Sequence, residues 1–295
     1  MATILSGKAV AESITEKTRA KAEELTAQGR QPVLLIVRVG EKGSDLSYER
    51  GVIRRAESAG IEVRVKALPE TVSGEEMADV LREASEDPTV SGVLPFLPLP
   101  GHLNEKIILE ALAPEKDIDG ATRSSMLGVY AGSGEGYSPC TPEAVIRILD
   151  HYGVELSGKK VAIVGRSLVV GKPLAMLLLA RNATVTLCHT KTADLPGETR
   201  QADILVVATG HAKTIRSAHI RKGQFVLDVG INFDAFGKMC GDVAFEEVEP
   251  FVGAITPVPG GVGTVTNAVL LSHVVDAAAR AYAKDPLPKS KKTEA

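Results

Sequence analysis

The sequence predicts an α/β fold arranged as two domains. Two observations carry that expectation. Strand-like and helix-like patterns alternate from end to end, which implies βαβ units and parallel sheets covered by helices. The alternation restarts after a change of grammar near residue 139, and its second run places a buried strand, a glycine turn and a helix in direct succession. A chain of 295 residues also suits about two domains at roughly 100–200 residues each.

The first series opens with helical spacing over residues 8–28. Next comes "PVLLIVRV" (32–39), a continuous apolar run of the kind that fills a strand buried on both faces. A helix is expected near 45–59, a strand at "IEVRVKAL" (61–68), a helix near 74–86, a strand at "SGVLPFLPL" (91–99) and a helix near 103–112. Within the helix at 45–59, Tyr48 and Val52 stand four residues apart and share a face. An aromatic placed for a ligand therefore has a plain aliphatic neighbour, although Arg50, Arg54 and Arg55 are close in sequence.

The second series begins at "SPCTPEAVIRILDHYGV". Thr141 is the expected N-cap there, with Pro142 at the first helical position, where its missing N–H costs nothing. Strand 160–164, helix 171–181 and strands at 183–188, 203–208, 225–229 and 252–256 follow. A long helix at 264–283 closes the pattern. The expected division is 1–140 and 141–263, with the final helix packing back on the first domain and 284–295 forming a disordered tail. No period of roughly 20–50 residues repeats, which excludes a solenoid.

Composition narrows the function. Hydrophobic content of 44% and charged content of 24% are ordinary for a soluble globular protein. A net charge of −3 provides no global basic field, so neither nucleic acid nor an anionic membrane is an expected partner. Cys140, Cys188 and Cys240 are odd in number and widely spaced, which argues against a disulfide framework and suits a reducing cytosol. The pair Cys188-His189 lacks a second ligand pair at metal-like spacing, so no metal is expected. No apolar run approaches the ~20 residues that span a bilayer, and "MATILSGKAVAESI" lacks a signal-peptide core. The expected location is the cytoplasm.

The stretch "KKVAIVGRSLVVGKPLAMLLL" (159–179) carries the first chemical signal. Gly165 leaves a buried strand and Gly171 opens a helix, with Pro173 in its first turn. Backbone N–H groups at such a helix start form an anion site suited to a pyrophosphate. The spacing is G-x5-G, so by itself it is equally the glycine turn of any α/β protein. The next strand sharpens the reading. "ATVTLCHTKT" (183–192) ends without the acid that usually binds a ribose diol. Its tip is His189, Thr190 and Lys191, with Arg166 supplied by the glycine turn. Cationic and hydroxyl donors suit a 2′-phosphate, which favours NADP over NAD, with Arg166 and Thr190 the leading candidates.

Further stretches carry a resemblance over nearly the whole chain: "PEKDIDG" (114–120), "PCTP" (139–142), "VGRSLVVGKP" (164–173), "LDVGIN" (227–232), "GDV" (241–243) and "TPVPGGVGTVT" (256–266). With these the chain resembles the methylenetetrahydrofolate dehydrogenase/cyclohydrolase family. The resemblance implies a folate-binding first domain and a Rossmann-type NADP-binding second domain around a cleft, in a homodimer. It implies hydride transfer from 5,10-methylenetetrahydrofolate to the nicotinamide, then attack of water on the methenyl cation to give 10-formyltetrahydrofolate. Matched by position, the folate-stacking tyrosine falls on Tyr48 and the pterin-binding aspartate on Asp119, whose carboxylate suits the N–H donors of a pterin. Leu97, Pro98, Gly260 and Gly261 are the other implied substrate-binding positions. Gly165, Arg166, Ser167, Val170, Gly171, His189, Thr190 and Ile231 are the implied cofactor-binding positions.

Three departures matter. The family tyrosine opens Y-x-x-x-K, and that lysine is the residue most tied to the cyclohydrolase step; here the position is Val52. Gly40, eight residues before the tyrosine, and Gly60, twelve after, keep the register. The family glutamine of V-Q-L-P-L-P is Phe96 here, and the family F-H-P after "DG" is Ala121, Thr122 and Arg123. Losing the lysine or the glutamine alone would strand a buried polar group at roughly 1–3 kcal/mol; replacing both with hydrocarbon avoids that. Hydride transfer mainly needs the donor carbon held against the nicotinamide with water excluded. Water addition needs proton management. His102 is the nearest titratable substitute by sequence, and its place in a loop suits a structural role better. The leading expectation is a dehydrogenase with weak or absent cyclohydrolase activity. A bifunctional enzyme using another group, a pocket fitted to a modified pterin, and a silent NADP-binding paralogue are the alternatives.

Overall fold

The computed structural model describes residues 2–234 and 236–284, so the expected tail lies outside the described residues except for Lys284, the last residue of the final helix. In chain order the strands are β1 (Thr3–Ile4), β2 (Val33–Val39), β3 (Glu62–Leu68) and β4 (Gly92–Pro95). They continue as β5 (Lys160–Val164), β6 (Thr184–Cys188), β7 (Ile204–Val207) and β8 (Phe225–Asp228). A hairpin of β9 (Asn232–Phe233) and β10 (Met239–Cys240) precedes β11 (Ala254–Ile255). The chain divides into two compact units, residues 15–118 with the chain from Leu271, and residues 2–14 with Asp119–Leu270.

In the unit built on residues 15–118, β2 lies between β3 and β4, and both neighbours run parallel to it. It holds the centre because all its residues but Leu35 are buried, as a strand covered on both faces must be. The one charge in that run is Arg38, whose guanidinium donates to Glu49 Oε2 at 2.8 Å and to the Gly40 carbonyl at 2.5 Å. The helix Gly43–Ser58 follows β2. The helix Gly74–Glu86 starts on a capping box, with the Ser73 hydroxyl accepting the Glu76 N–H and the Glu76 carboxylate accepting the Ser73 N–H. In place of the helix expected at 103–112 there is one turn, Glu105–Ile108, and a 3-10 turn, Leu109–Ala111. The C-terminal part of the last helix is tied to this unit. His273 Nδ1 lies 2.8 Å from the Ile118 carbonyl, and Lys21 pairs with Asp276 at 2.7 Å.

The other unit carries a six-stranded sheet in the order β1-β11-β8-β7-β5-β6, with every pairing parallel. β7 is buried throughout and β5 in all but its first residue, matching their apolar sequences. Sequence grammar changes near 139, yet residues 119–139 group with this sheet. Gly120 shows why. Its φ is +65°, and a Cβ there would stand 2.6 Å from Pro139 N and from the Tyr137 carbonyl oxygen, so the two ends of this segment are pressed together. Its helix Arg123–Ala131 packs on Gly171–Leu179.

The helix expected from Thr141 begins at Cys140 instead, with Pro139 in the N-cap position and Pro142 in the first turn, where its missing N–H still leaves no bond unmade. The last helix spans Val262–Lys284. Its segment Val262–Ala283 is long and apolar enough to cross a membrane by length and composition, and 61% of that stretch is buried in the structure. Asp276 and Arg280 interrupt the run, which is why no unbroken apolar stretch is visible in the sequence.

Arg38 and Glu49 form a largely buried pair, with side chains only 10% and 13% exposed. Arg38→Ala should destabilise the protein by about 3–5 kcal/mol, because an unpartnered buried carboxylate is left behind. The double change Arg38→Met with Glu49→Leu should recover most of that loss, as read from urea denaturation midpoints.

Candidate functional site

The glycine turn after β5 is shaped by backbone contact. Gly165 has φ +130°, and a Cβ on it would lie 2.1 Å from the Ala208 carbonyl oxygen. A Cβ on Gly171 would lie 2.0 Å from the Gly165 carbonyl oxygen. Only glycine fits either place. The Gly165 N–H donates to the Cys188 carbonyl at 2.9 Å, which joins the turn to the end of β6. Ser167 holds the intervening loop: its hydroxyl accepts the Val170 N–H at 3.1 Å and its carbonyl the Lys172 N–H at 3.0 Å. Helix Gly171–Leu179 then starts without a side-chain cap at Val170.

Val164 and Cys188 are paired across β5 and β6, so Arg166 and Thr190 each stand two residues beyond a matched position, at one edge of the sheet. Both are exposed. The His189 N–H donates to Thr192 Oγ1 at 2.9 Å, and the Lys191 N–H donates to His189 Nδ1 at 3.0 Å, so Nδ1 is an acceptor and the tip is fixed in shape. Cys188 is buried, and burial pushes its thiol pKa up, which keeps it protonated.

Two acids unremarked in the sequence lie at the same edge. Asp228 ends β8 at 3% exposure, and Asp242 is fully buried. Asp228 Oδ1 accepts the N–H groups of Gly230 at 2.9 Å and Asp242 at 3.0 Å, while Oδ2 accepts that of Val243 at 2.9 Å. Asp242 Oδ2 accepts the N–H groups of Thr209 at 2.5 Å and Gly210 at 2.9 Å, and Oδ1 accepts from Asn232 Nδ2 at 2.8 Å. The glycines beside them make room: a Cβ on Gly230 would fall 2.2 Å from the Asp242 carboxyl carbon, and one on Gly241 would fall 1.9 Å from Asp228 Oδ2. Burial, opposed by these three N–H donors and reinforced by the neighbouring Asp242, pushes the Asp228 pKa up to about 6. The sequence signal was there in "DVG" and "GDV", acids next to glycines. Ile231, between Gly230 and Asn232, is 58% exposed.

In the unit of residues 15–118, Tyr48 lies on helix Gly43–Ser58 with 43% exposure. Its ring tilts 52° to that of Phe96 with centroids 5.3 Å apart. Val52, one turn on, is only 2% exposed. Phe96 continues the β4 edge by donating its N–H to the Val37 carbonyl at 2.8 Å, and Leu97 and Pro98 follow through a cis peptide bond. Tyr48 and Phe96 thus form an aromatic pair, and Val52 is buried one turn further along the Tyr48 helix. Arg50, Arg54 and Arg55 are exposed. His102 Nε2 lies 3.1 Å from the Val72 carbonyl, a structural role. Lys116 donates to the carbonyls of Ala84 at 2.9 Å and Asp87 at 2.5 Å, closing the end of helix Gly74–Glu86, and burial lowers its pKa.

The remaining candidates belong to the unit of the six-stranded sheet. Asp119 is half-buried at its start. Gly260 accepts the Gly7 N–H at 2.8 Å through its carbonyl, and Gly261 is buried beside it.

Comparison with known proteins places this geometry. Residues 5–119 match the family model described as tetrahydrofolate dehydrogenase/cyclohydrolase, catalytic domain, and residues 139–282 match its NAD(P)-binding domain. Residues 120–138 fall between the two matches. The bifunctional protein FolD of Clostridioides difficile is 47% identical over 274 residues, covering 93% of this chain and 96% of that protein. The crystal structure of the bifunctional FolD methylenetetrahydrofolate dehydrogenase/cyclohydrolase of Campylobacter jejuni aligns with a TM-score of 0.92 at 38% identity, covering 95% of this chain and 99% of that one. The Trypanosoma brucei enzyme, crystallised with NADP cofactor and inhibitor, aligns with a TM-score of 0.87 at 31% identity, covering 95% and 98%.

The raised Asp228 pKa has a definite sign. The folded carboxyl takes up a proton near pH 6 and the unfolded one near its ordinary 3.8, so between these values the folded state binds more protons. This group therefore favours folding below about pH 4 and loses about 3 kcal/mol of that contribution as pH rises to about 6. Asp228→Asn should remove that pH slope, as measured by the difference between wild-type and variant unfolding free energies across pH 4–7. It should also cost about 1–3 kcal/mol at pH 7, because an amide cannot accept from both sides and one of the three N–H groups is left facing a donor.

Proposed function

The chain belongs to the tetrahydrofolate dehydrogenase/cyclohydrolase family, and on that premise we propose that it is an NADP-linked 5,10-methylenetetrahydrofolate dehydrogenase with weak or absent cyclohydrolase activity. The observation that carries the reading is the Tyr48–Phe96 ring pair together with a buried valine, Val52, one helical turn from Tyr48. It offers a stacking face for a pterin and hydrocarbon where water would have to be managed.

NADP fits the other unit on its own geometry. The cradle at Gly165 and Gly171 is one that a Cβ would fill, which leaves backbone free to approach a pyrophosphate. Exposed Arg166 and Thr190 at the neighbouring strand ends supply the cation and hydroxyl that a 2′-phosphate needs. When bound, NADP accepts the hydride released by the methylene carbon. The protein's own part is to orient the pterin, with Tyr48 as its stacking face, and to keep water from the cation left between two nitrogens. None of these tasks needs a general base. Ring opening does, and Val52 and Phe96 supply neither proton acceptor nor donor.

A second reading is favoured by the relatives, since the protein at 47% identity is named bifunctional. In that reading another group or an ordered water handles the proton. The two separate on product identity. The purified protein should accumulate methenyltetrahydrofolate, followed by its absorbance, with formyl product forming at the uncatalysed rate; rapid enzyme-dependent loss of the methenyl signal would overturn the monofunctional reading. The double variant Val52→Lys with Phe96→Gln should gain methenyl hydrolysis by at least about tenfold, equivalent to about 1.4 kcal/mol of barrier.

Arg166→Ala should raise the KM for NADP about tenfold while leaving the weaker use of NAD nearly unchanged, in steady-state assays with each nucleotide. A cytoplasmic homodimer is part of the same proposal, and light scattering on the purified protein checks the assembly.

A further inference from the structure

We propose that Asp242 is a positioning residue for the dinucleotide: it sets the spacing of the loops after β7 and β8 and, through Ala208, the shape of the glycine turn. The inference rests on reading this unit as the NADP site. Asp242 is itself fully buried, so it acts through others.

β7 and β8 are neighbours in the sheet, and their C-terminal ends open onto the edge where parallel sheets of this kind bind ligands. Asp242 holds the loop after β7 by the Thr209 and Gly210 N–H groups and the loop after β8 by the Asn232 side chain. One carboxylate therefore spans both.

Two chains of contact lead outward from it. Thr209 follows Ala208, whose carbonyl oxygen occupies the space that a Cβ on Gly165 would need, and the Gly165 carbonyl in turn stands against Gly171. These are close backbone contacts, so a shift of Thr209 by a few tenths of an ångström is passed to the turn that receives the phosphates. On the other side, Ile231 is flanked by Gly230, whose N–H is held by Asp228, and by Asn232, held by Asp242. An exposed apolar residue fixed on both sides makes a firm platform for a flat ring. Asp228 completes the arrangement by accepting the Asp242 N–H.

The test compares four full-length variants of the same chain, using the Kd for NADP by calorimetry together with KM and kcat. Asp242→Ala releases both loops and should raise Kd and KM for NADP at least tenfold, with kcat at saturating NADP within about threefold of the unaltered protein. Asp242→Asn keeps an acceptor for Thr209 and Gly210, and Asn232 can turn its amide to meet the new NH2 group, so this variant should recover most of the lost affinity. Asn232→Ala, at a partly exposed position that leaves Asp242 with its backbone donors, should raise Kd severalfold. Asn232→Asp should weaken binding by placing two carboxylates together, and adding Asp242→Asn to it should restore affinity.

An unchanged Kd in a folded Asp242→Ala or Asn232→Ala, or an asparagine variant no better than alanine, overturns the proposal as a case of stability alone. If Asp242→Ala does not fold, the Asn232 variants decide. Failure of the unaltered chain to bind NADP would instead overturn the functional reading on which the proposal rests.

Discussion

Two carboxylates buried at the C-terminal edge of the six-stranded sheet, Asp228 and Asp242, impose the condition that the nucleotide unit is built to meet. A carboxylate removed from water loses several kcal/mol of solvation unless donors replace it. Each of these is given three N–H donors, five of the six from backbone. Backbone donors can converge that closely only where neighbouring residues lack side chains, and Gly230 and Gly241 stand at those places. The motifs "LDVGIN" and "GDV" thus record one physical requirement seen from its two ends. The loops after β7 and β8 inherit their shape from it, and the glycine turn after β5 is packed against the first of them.

The unit of residues 15–118 is organised by a different balance. Its sheet centre tolerates one charge, Arg38, because Glu49 and a carbonyl oxygen answer it. Elsewhere along the helix that carries Tyr48, the face turned inward is hydrocarbon, with Val52 and Ala56 buried at successive turns. A lysine in place of Val52 would need a polar partner nearby, and Phe96 could not be one. Tyr48 against Phe96 adds an aromatic contact worth about 0.5–1.5 kcal/mol beyond burial.

Much of this is legible in the amino-acid sequence. The runs at 32–39 and 160–164 read as buried strands, because a parallel sheet covered on both faces demands uninterrupted apolar residues. The glycine turn and the placement of Arg166 and Thr190 followed from spacing, since paired parallel strands end level. What could not be read was set by contacts distant in sequence. Residues 119–139 stand before the change of grammar near 139 yet group with the second sheet, and Gly120 lies against Tyr137 and Pro139. The helix at 140 starts at a proline-led turn that carries no polar cap, so the cap rules pointed two residues downstream. β1 and the β9–β10 hairpin have two residues per strand, too short to form a pattern. Asp228 and Asp242 were visible only as letters in motifs, since an acid in a loop is ordinarily solvated and nothing local marks one as buried.

The edge pairing of β1 with β11 bears on how the polypeptide matures as it leaves the ribosome. Thr3 and Ile4 leave the ribosome well ahead of their neighbours in the sheet, Ala254 and Ile255, which emerge some 250 residues later. That segment must therefore wait for its strand partner while the intervening residues are made. β2, β3 and β4 by contrast lie within residues 33–95 and can assemble early. Completion of the nucleotide sheet is therefore a late event, and β1, with the adjacent Ala2 N–H donating to Glu249 Oε1 at 3.0 Å, is its closing stitch.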